Sequence, residues 1–331
     1  MYAKIEVRRA ESVKNIVMDS GVWDNSRKVI REKGFVLFPV KEKIEVDGVE
    51  FVEREGPLNE RAPTSLLDSL RNTLSEGELP LVPSSFDIIG DIAIIDLPEG
   101  LLPRKNIVGE ALIKTFKNVK VVLMKTGKVD SEYRVPSLQV IAGEDRTWTI
   151  HSEHGLRYRL DVAKAYFSPR LSGERMRVAR QARPGERVLV MFAGVGPYAI
   201  LISRVSGCEV HAVELNPDAV EFMRKNVLMS KTSVSVYCGD VRDVVPSLGT
   251  FDRIVMPLPK DAGSFMDIAL PALNTGGVVH YYVFAESSIG ASGDAVESAG
   301  ILGVAVEVLD VVECGSFSPG VSRYCVDFKL K

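Results

Sequence analysis

The stretch from Val188 to Asn216, VLVMFAGVGPYAILISRVSGCEVHAVELN, reads as an apolar strand, a glycine turn, a helix and a second apolar strand that ends on an acid. Gly194 and Gly196 stand where the chain must turn sharply and let a ligand approach the backbone. Glu214 follows about 20 residues on, where an acceptor for a ribose hydroxyl is expected. The glycine turn alone is a weak signal. GVGPYA also fits the dinucleotide fingerprint with alanine for its last glycine, and open α/β sheets carry tight turns there without a ligand. The pattern predicts an adenosine-containing cofactor, and the rest of the chain must decide which.

From about Asp161 onward helix-like and strand-like segments alternate. Helices are predicted over 169–182, from the glycine turn to Arg204, and over 217–229 and 261–270. Strands are predicted over 187–192, 209–214, 233–238, 252–256, 277–283, 304–312 and 324–330. Such alternation specifies an α/β fold with a mainly parallel sheet, and the two late strands suit an antiparallel edge. Before it lie two smaller α+β segments. Residues 1–60 carry strand-like runs at 2–7, 35–40 and 49–52 and a helix at 10–18. A polar, proline-bearing linker at 55–65 leads to a second segment, 66–150, with a helix at 66–74, a strand-rich run at 85–98, a helix at 105–116 and a strand at 119–124. Residues 151–331 form the cofactor domain on this reading.

Composition narrows the class. Of 331 residues, 46% are apolar and 26% charged, as in a soluble globular protein, and no apolar run approaches the ~20 residues needed to cross a bilayer. Met1-Tyr2-Ala3-Lys4 begins no secretory signal, so a cytoplasmic protein is expected. The four cysteines have no paired spacing and are expected to be buried free thiols. The histidines, with His151 and His154 the only near pair, are expected to pack rather than to hold a metal. A net charge of −3 argues against coating nucleic acid by bulk electrostatics. Between Arg157 and Arg187, however, nine basic residues face three acids, a segment suited either to a polyanionic substrate or to a solvated helix face.

Three local features favour S-adenosylmethionine over a nicotinamide dinucleotide. Asn216-Pro217 places an N-cap and an N1 proline directly after Glu214, fixing the acid at a strand's carboxyl end. Asp240 ends the third strand, where it suits either an adenine amino group or a helix cap. Pro257-Leu258-Pro259 then forms a rigid loop at the carboxyl edge, suited to holding a base.

The blocks MFAGVGPY, VELNPDAVEFMRKNV, DVAKAYFSPRLSGERMRVA, YRVPSLQVIAGE, SFDIIGDIAIIDLP and GGVVHYY together resemble the archaeal and eukaryotic-type tRNA guanine-N1 methyltransferases that act at position 37 of the anticodon loop. The resemblance spans roughly residues 2–285. It implies a class I, Rossmann-like methyltransferase domain with a seven-stranded sheet, a middle domain, and an N-terminal domain that contacts the outer corner of tRNA. It further implies tRNA and S-adenosylmethionine as partners, and a monomer is expected because no long exposed apolar helix or edge is evident in the sequence. By position it makes Glu174 the general base and Arg134 the group that contacts the guanine. It places Tyr166, Phe167, Pro169, Arg170 and Arg175 beside cofactor and substrate, with Phe192, Ala193, Gly194, Gly196, Glu214, Asn216 and Asp240 around the cofactor. Both catalytic types suit the chemistry. Guanine N1 carries a proton that a carboxylate can accept, and a guanidinium can stabilise the charge that then spreads to O6. The residues alone equally allow an ion pair between Glu174 and Arg177 or Arg170 on one helix. Two positions depart from the family pattern: Val190 replaces an aspartate, and Pro257 replaces an asparagine and has no N–H to donate.

Overall fold

The computed structural model describes residues 1–58, 63–127 and 135–331. Its chain divides into two compact units, Met1–Thr64 and Ser65–Lys331. The first contains β1 (Tyr2–Glu6), α1 (Ala10–Asp19), β2 (Ile30–Glu32), β3 (Phe35–Pro39) and β4 (Glu50–Val52), in the antiparallel sheet order β2-β3-β1-β4. Val13 and Val17, one helical turn apart, carry α1 onto Ala3, Ile5, Val36 and Phe38 of the sheet. The sequence gives no sign of β2, which is three residues long and mostly exposed.

The second unit opens with α2 (Leu66–Leu70), β5 (Asp87–Ile89), β6 (Ile92–Ile95), α3 (Lys105–Thr115), β7 (Val121–Lys125) and β8 (Leu138–Gly143), its strands in the order β5-β6-β7-β8. The hairpin β9 (Trp148–Glu153) and β10 (Leu156–Asp161) follows, then α4 (Ser172–Gln181). The sequence reading divides the chain near residue 150, yet an apolar core runs across that point. Ile92, Val121 and Leu123 pack with Leu160, Phe167, Val195 and Ala219. Polar contacts reinforce it: the Gly90 N–H donates to His151 Nδ1 at 3.1 Å, and Arg170 donates to Asp87 at 2.7 Å.

The large sheet comprises β11 (Arg187–Val190), β12 (Glu209–Glu214), β13 (Val234–Cys238), β14 (Phe251–Met256), β15 (Leu273–Ala285), β16 (Val306–Ser318) and β17 (Val321–Leu330). Its order is β13-β12-β11-β14-β15-β17-β16, parallel up to β15, with β17 antiparallel to both its neighbours. The helices α5 (Pro197–Ser206), α6 (Pro217–Ser230), α7 (Val241–Val244), α8 (Met266–Ala269) and α9 (Ser288–Ile301) complete the unit. Strand order reverses between β11 and β14, which opens a crevice at the carboxyl ends of those strands where ligands of such sheets bind. Val190 is wholly buried within this sheet, a position that an apolar side chain fills without a partner. The predicted helix at 261–270 is a 3-10 turn followed by the four-residue α8, and α9 has no counterpart in the sequence reading. Its three glycines mask a buried stripe, Ala291, Ala295 and Ala299, at helical spacing.

Among the described residues no helix is long and apolar enough to cross a membrane. Two of the cysteines depart from the expected burial: Cys314 is half-buried and Cys238, at the end of β13, is exposed.

Candidate active site

The chain leaves β11 through a turn that β12 and β14 hold between them. The Met191 N–H donates to the Val255 carbonyl and the Ala193 N–H to the Val213 carbonyl, both at 3.0 Å. Phe192, Gly194 and Gly196 all lie in the left-handed region, at φ 54°, 58° and 88°. For Phe192 this is an uncommon conformation of the kind concentrated at ligand sites. Gly196 is required twice over, since an added Cβ would also stand 2.8 Å from Met223 Cγ. At Gly194 an added Cβ would meet only the Tyr166 carbonyl, at 3.6 Å. The structure thus brings Tyr166, whose ring is half exposed, next to the glycine turn.

Glu214 bridges this turn to the next helix. Its Oε2 accepts the Gly194 N–H at 2.7 Å and its Oε1 accepts the Asn216 N–H at 2.8 Å. Burial raises the proton affinity of the carboxyl, and the N–H groups of Asn216 and Gly194 pull against that. A carboxylate offers about four lone-pair positions, more than these N–H groups fill, so capacity remains for a hydroxyl of a bound ribose. The cradle therefore fits an adenosine cofactor: a fixed acid, an open glycine backbone and an apolar wall. That wall is Phe192 edge-on to Phe265 at 4.8 Å, with the Arg242 guanidinium over the Phe265 ring at 4.1 Å. Neither Phe265 nor Arg242 is anticipated from the sequence, because only the strand ends bring these loops together. Glu214→Ala is expected to weaken adenosine-cofactor binding at least about tenfold, the effect of one lost charge-assisted hydrogen bond. Calorimetry checks this, and unchanged affinity would remove Glu214 from the cofactor site.

Several anticipated residues make contacts within the chain, two of them the helix caps that the sequence allowed. The Asn216 side chain caps α6 by accepting from the Asp218 and Ala219 N–H groups, and its amide donates to the Lys164 carbonyl at 2.7 Å. Asp240 caps α7 through the Arg242 N–H at 2.8 Å. Arg170 is exposed and pairs with Asp87 of β5 at 2.7 Å. Arg175 is 2% exposed and grips Glu153 with two bonds of 2.7 and 2.5 Å. It also donates twice to the Ser168 carbonyl, so it fastens the 166–169 turn from inside the protein instead of facing a cofactor. Among the described residues, at least five of the nine basic residues in the 157–187 segment are ion-paired within the chain, namely Lys164, Arg170, Arg175, Arg177 and Arg187. The segment is accordingly not a continuous cationic track.

Pro257 forms the centre of a tight turn, in which the Leu258 N–H donates to the Met256 carbonyl at 2.8 Å. Pro259 lines a cleft of about 380 Å³ with Lys260, Tyr281, Phe284 and Asp294. Tyr281 and Tyr282 alternate on β15, so this cleft opens on the face opposite that of Glu174. Arg134 falls outside the described residues.

Glu174, in the first turn of α4, is 8% exposed and accepts three hydrogen bonds. Arg177 gives two, to Oε2 at 2.7 Å and Oε1 at 2.8 Å, and the Tyr282 hydroxyl gives a third to Oε1 at 2.6 Å. The i,i+3 ion pair allowed by the sequence is thus present. The Tyr198 hydroxyl in turn donates to that of Tyr282 at 2.9 Å. Burial keeps both phenols protonated far beyond neutral pH, so Tyr282 is a donor. Three donors leave one lone-pair position of the carboxylate, on Oε2, without a partner among the described residues. Sequence separations of 108 between Glu174 and Tyr282 and 150 between Arg177 and Asp327 put these partners beyond the reach of motif reading.

Comparison with known proteins agrees with this architecture. The family model described as the TRM5/TYW2 methyltransferase domain matches residues 149–298. The TYW2 N-terminal domain model matches 66–147, and the tRNA methyltransferase 5 N-terminal domain model matches 4–48. The chain is 40% identical to tRNA (guanine(37)-N(1))-methyltransferase Trm5b of Pyrococcus abyssi, over 100% of this chain and 99% of that one. It belongs to the Trm5 family. The crystal structure of the P. abyssi protein superposes with a TM-score of 0.82 over the same shares of the two chains. A complex of aTrm5 with tRNALeu, 29% identical, superposes with a TM-score of 0.86 over 100% of both chains. P. horikoshii TYW2 in complex with MeSAdo, also 29% identical, covers 80% of this chain and 97% of its own, with a TM-score of 0.67. The Trm5 relationship therefore includes the N-terminal segment, whereas the TYW2 relationship leaves a fifth of the chain unmatched.

Proposed function

We propose that this Trm5-family chain is a tRNA methyltransferase that uses S-adenosylmethionine to methylate N1 of guanine 37 in the anticodon loop, acting as a cytoplasmic monomer. The observation that carries the reading is the end-to-end relationship to a tRNA (guanine(37)-N(1))-methyltransferase, residues 4–48 included. The aTrm5 complex with tRNALeu supports tRNA as the partner. Residues 1–60 are assigned to the outer corner of the tRNA, 66–150 to a middle domain and 151–331 to catalysis. S-adenosylmethionine, when bound, supplies an activated methyl group. Glu214 and the turn from Phe192 through Ala193 to Gly196 hold its adenosine, with Tyr166 and Asp240 at the rim.

The chain's own part in the reaction is to prepare the nucleophile. Guanine N1 is protonated at neutral pH and must lose that proton before its lone pair can attack. Glu174 is the assigned base, and the unpartnered position on Oε2 is the site that receives the proton. Charge left on guanine O6 is assigned to Arg134. Pro257 and Leu258, at the carboxyl end of β14, bound the base by shape, since Pro257 offers no N–H, whereas Pro259 lines the cleft on the opposite face.

Transfer of an aminocarboxypropyl group to a tricyclic guanine is the second reading, supported by the TYW2 relationship alone. Single-turnover reaction with S-adenosylmethionine labelled in the methyl group, on transcripts with guanine or adenine at position 37 and with the product nucleoside identified by mass, separates the two, since aminocarboxypropyl transfer would leave the label on methylthioadenosine. N1-methylguanine from the guanine transcript alone is expected. An aminocarboxypropyl adduct, or no product, overturns the reading.

A further inference from the structure

The β16–β17 hairpin lies beyond residue 298, where the match to the methyltransferase domain ends. It carries the chain past the carboxyl edge of the parallel strands. β14 closes on the pair Met256 and Tyr281, and β15 runs on through Phe284, which pairs with Arg323 of β17. Side chains two apart on a strand share a face, so Phe284 follows Tyr282, the donor to Glu174, on that face and about 7 Å nearer the edge at ~3.3 Å per residue. Standing at the end of its strand, Phe284 also borders the cleft on the other side. Arg323 likewise shares its face with Cys325, the cross-strand neighbour of Tyr282. The Cys314 thiol of β16 lies within electrostatic reach of Glu174, Arg177 and Arg323 alike, so Arg323 stands beside the Glu174 cluster.

At this edge an aromatic ring and a cation are left open together. Phe317, near the hairpin tip, is 61% exposed, and its ring stacks on that of Phe284 with centroids 3.9 Å apart and planes 26° from parallel. β16 shifts register on both sides of Ser316, and such bulges re-aim side chains at sheet edges and next to active sites. The Arg323 guanidinium lies over the Phe284 ring at 5.4 Å, and its Nε is buried with no hydrogen-bond partner among the described residues. A buried N–H without an acceptor is costly until a ligand supplies one. Glu313 on β16 accepts from the Ser322 hydroxyl at 2.7 Å instead. Closing the hairpin accounts for the contact between the two rings, but not for an open outer face and an unsatisfied guanidinium at one place.

We infer that Phe317 stacks the base of a nucleotide flanking guanine 37, and that Arg323 meets the phosphate joining the two. This rests on the guanine 37 reading and on Glu174 marking where that guanine stands. Aromatic rings take bases of single-stranded RNA whatever their sequence, because every base has a π face, and arginine beside them holds the backbone. A base drawn out of its stack leaves its neighbour exposed on one side, and Phe317 replaces the lost partner. From core to tip β17 presents Cys325 and then Arg323, while Phe317 stands opposite the next residues, Ser322 and Val321. A phosphate linking a base at Glu174 to a base on Phe317 therefore passes Arg323.

The test is binding of full-length protein to a tRNA transcript with guanine at position 37 and to two transcripts made abasic on its 5′ or its 3′ side, with melting checked for every variant. Phe317→Leu keeps apolar bulk without a π face. It should weaken binding about tenfold, with melting temperature and S-adenosylmethionine affinity unchanged, and Phe317→Trp should bind as the wild type does. One abasic transcript should bind the wild type about tenfold more weakly, yet bind Phe317→Leu as well as the intact transcript does, because ring and base form one contact. Arg323→Met should flatten the slope of log affinity against log salt by about 0.7, the share of one phosphate on a single strand. Losses from ring and base that multiply for both abasic transcripts overturn the stacking, and an unchanged salt slope overturns the phosphate contact. Should Arg323→Met fail to melt cooperatively, the Phe317 comparison decides alone. Such negative results beside N1-methylguanine formation by the wild type strike this platform only. A wild-type protein that binds tRNA but forms no N1-methylguanine removes the guanine 37 reading and this assignment with it.

Discussion

Glu174→Gln should lower the single-turnover rate of methyl transfer by about 10²- to 10⁴-fold, the usual range for a lost general base, with cofactor affinity unchanged. The amide is nearly isosteric but cannot hold a proton, and it turns an N–H₂ donor toward Arg177 or Tyr282, both of which donate in the wild type. Some loss of stability, about 1–3 kcal/mol, follows from that unsatisfied contact, so rates must be compared on protein shown to be folded at the assay temperature. Calorimetry with S-adenosylmethionine beside the rate measurement separates the effects. A rate within about tenfold of wild type would take the base role from Glu174 and leave the contact with Arg177 as its whole purpose.

Arg175→Met is expected to act on stability, with a loss of about 3–5 kcal/mol, because it strands Glu153 in the interior without a cation. Glu153 is 8% exposed. Burial works to raise its pKa, yet His151 and the Arg175 fork lower it to about 2. The sign of the pH dependence follows. In the wild type the stabilisation from a depressed carboxylate is complete above its unfolded range and is lost as pH falls toward about 2. In the variant Glu153 lacks its cation, so acid relieves the penalty instead. The gap between the two proteins should be widest near neutral pH and narrow as pH falls, which denaturant melts at several pH values would measure. The same substitution releases the Ser168 carbonyl and loosens the turn that carries Tyr166 beside Gly194. A weaker cofactor affinity should therefore accompany the lost stability. An equal gap at every pH would mean that Glu153 gains nothing from Arg175.

The sequence by itself determined the alternation of strand and helix from β11 to β14, because apolar runs bounded by glycine, Asn-Pro and acidic turns dictate local structure whatever surrounds them. It also placed Gly194, Gly196 and Glu214 together, since one βαβ unit fixes the turn and the strand end that follows it. It could not show how side chains would be employed. Arg175 read as a ligand contact, but its partners Glu153 and the Ser168 carbonyl lie on other segments, so only the fold showed it fastening the 166–169 turn, whereas the capping of α6 by Asn216 and of α7 by Asp240 was already among the readings the local sequence allowed. α9 escaped notice because helix propensity in a glycine-rich segment is poor and the burial of three alanines supplies what propensity does not. The environment of Glu174 is the strongest case. The i,i+3 partner Arg177 was legible on one helix, whereas Tyr282 and Asp327 reach the same guanidinium and carboxylate only because β15 and β17 pair antiparallel beneath α4. Short-range pattern records what a residue can do, and long-range pairing decides which of those chemistries its neighbours permit.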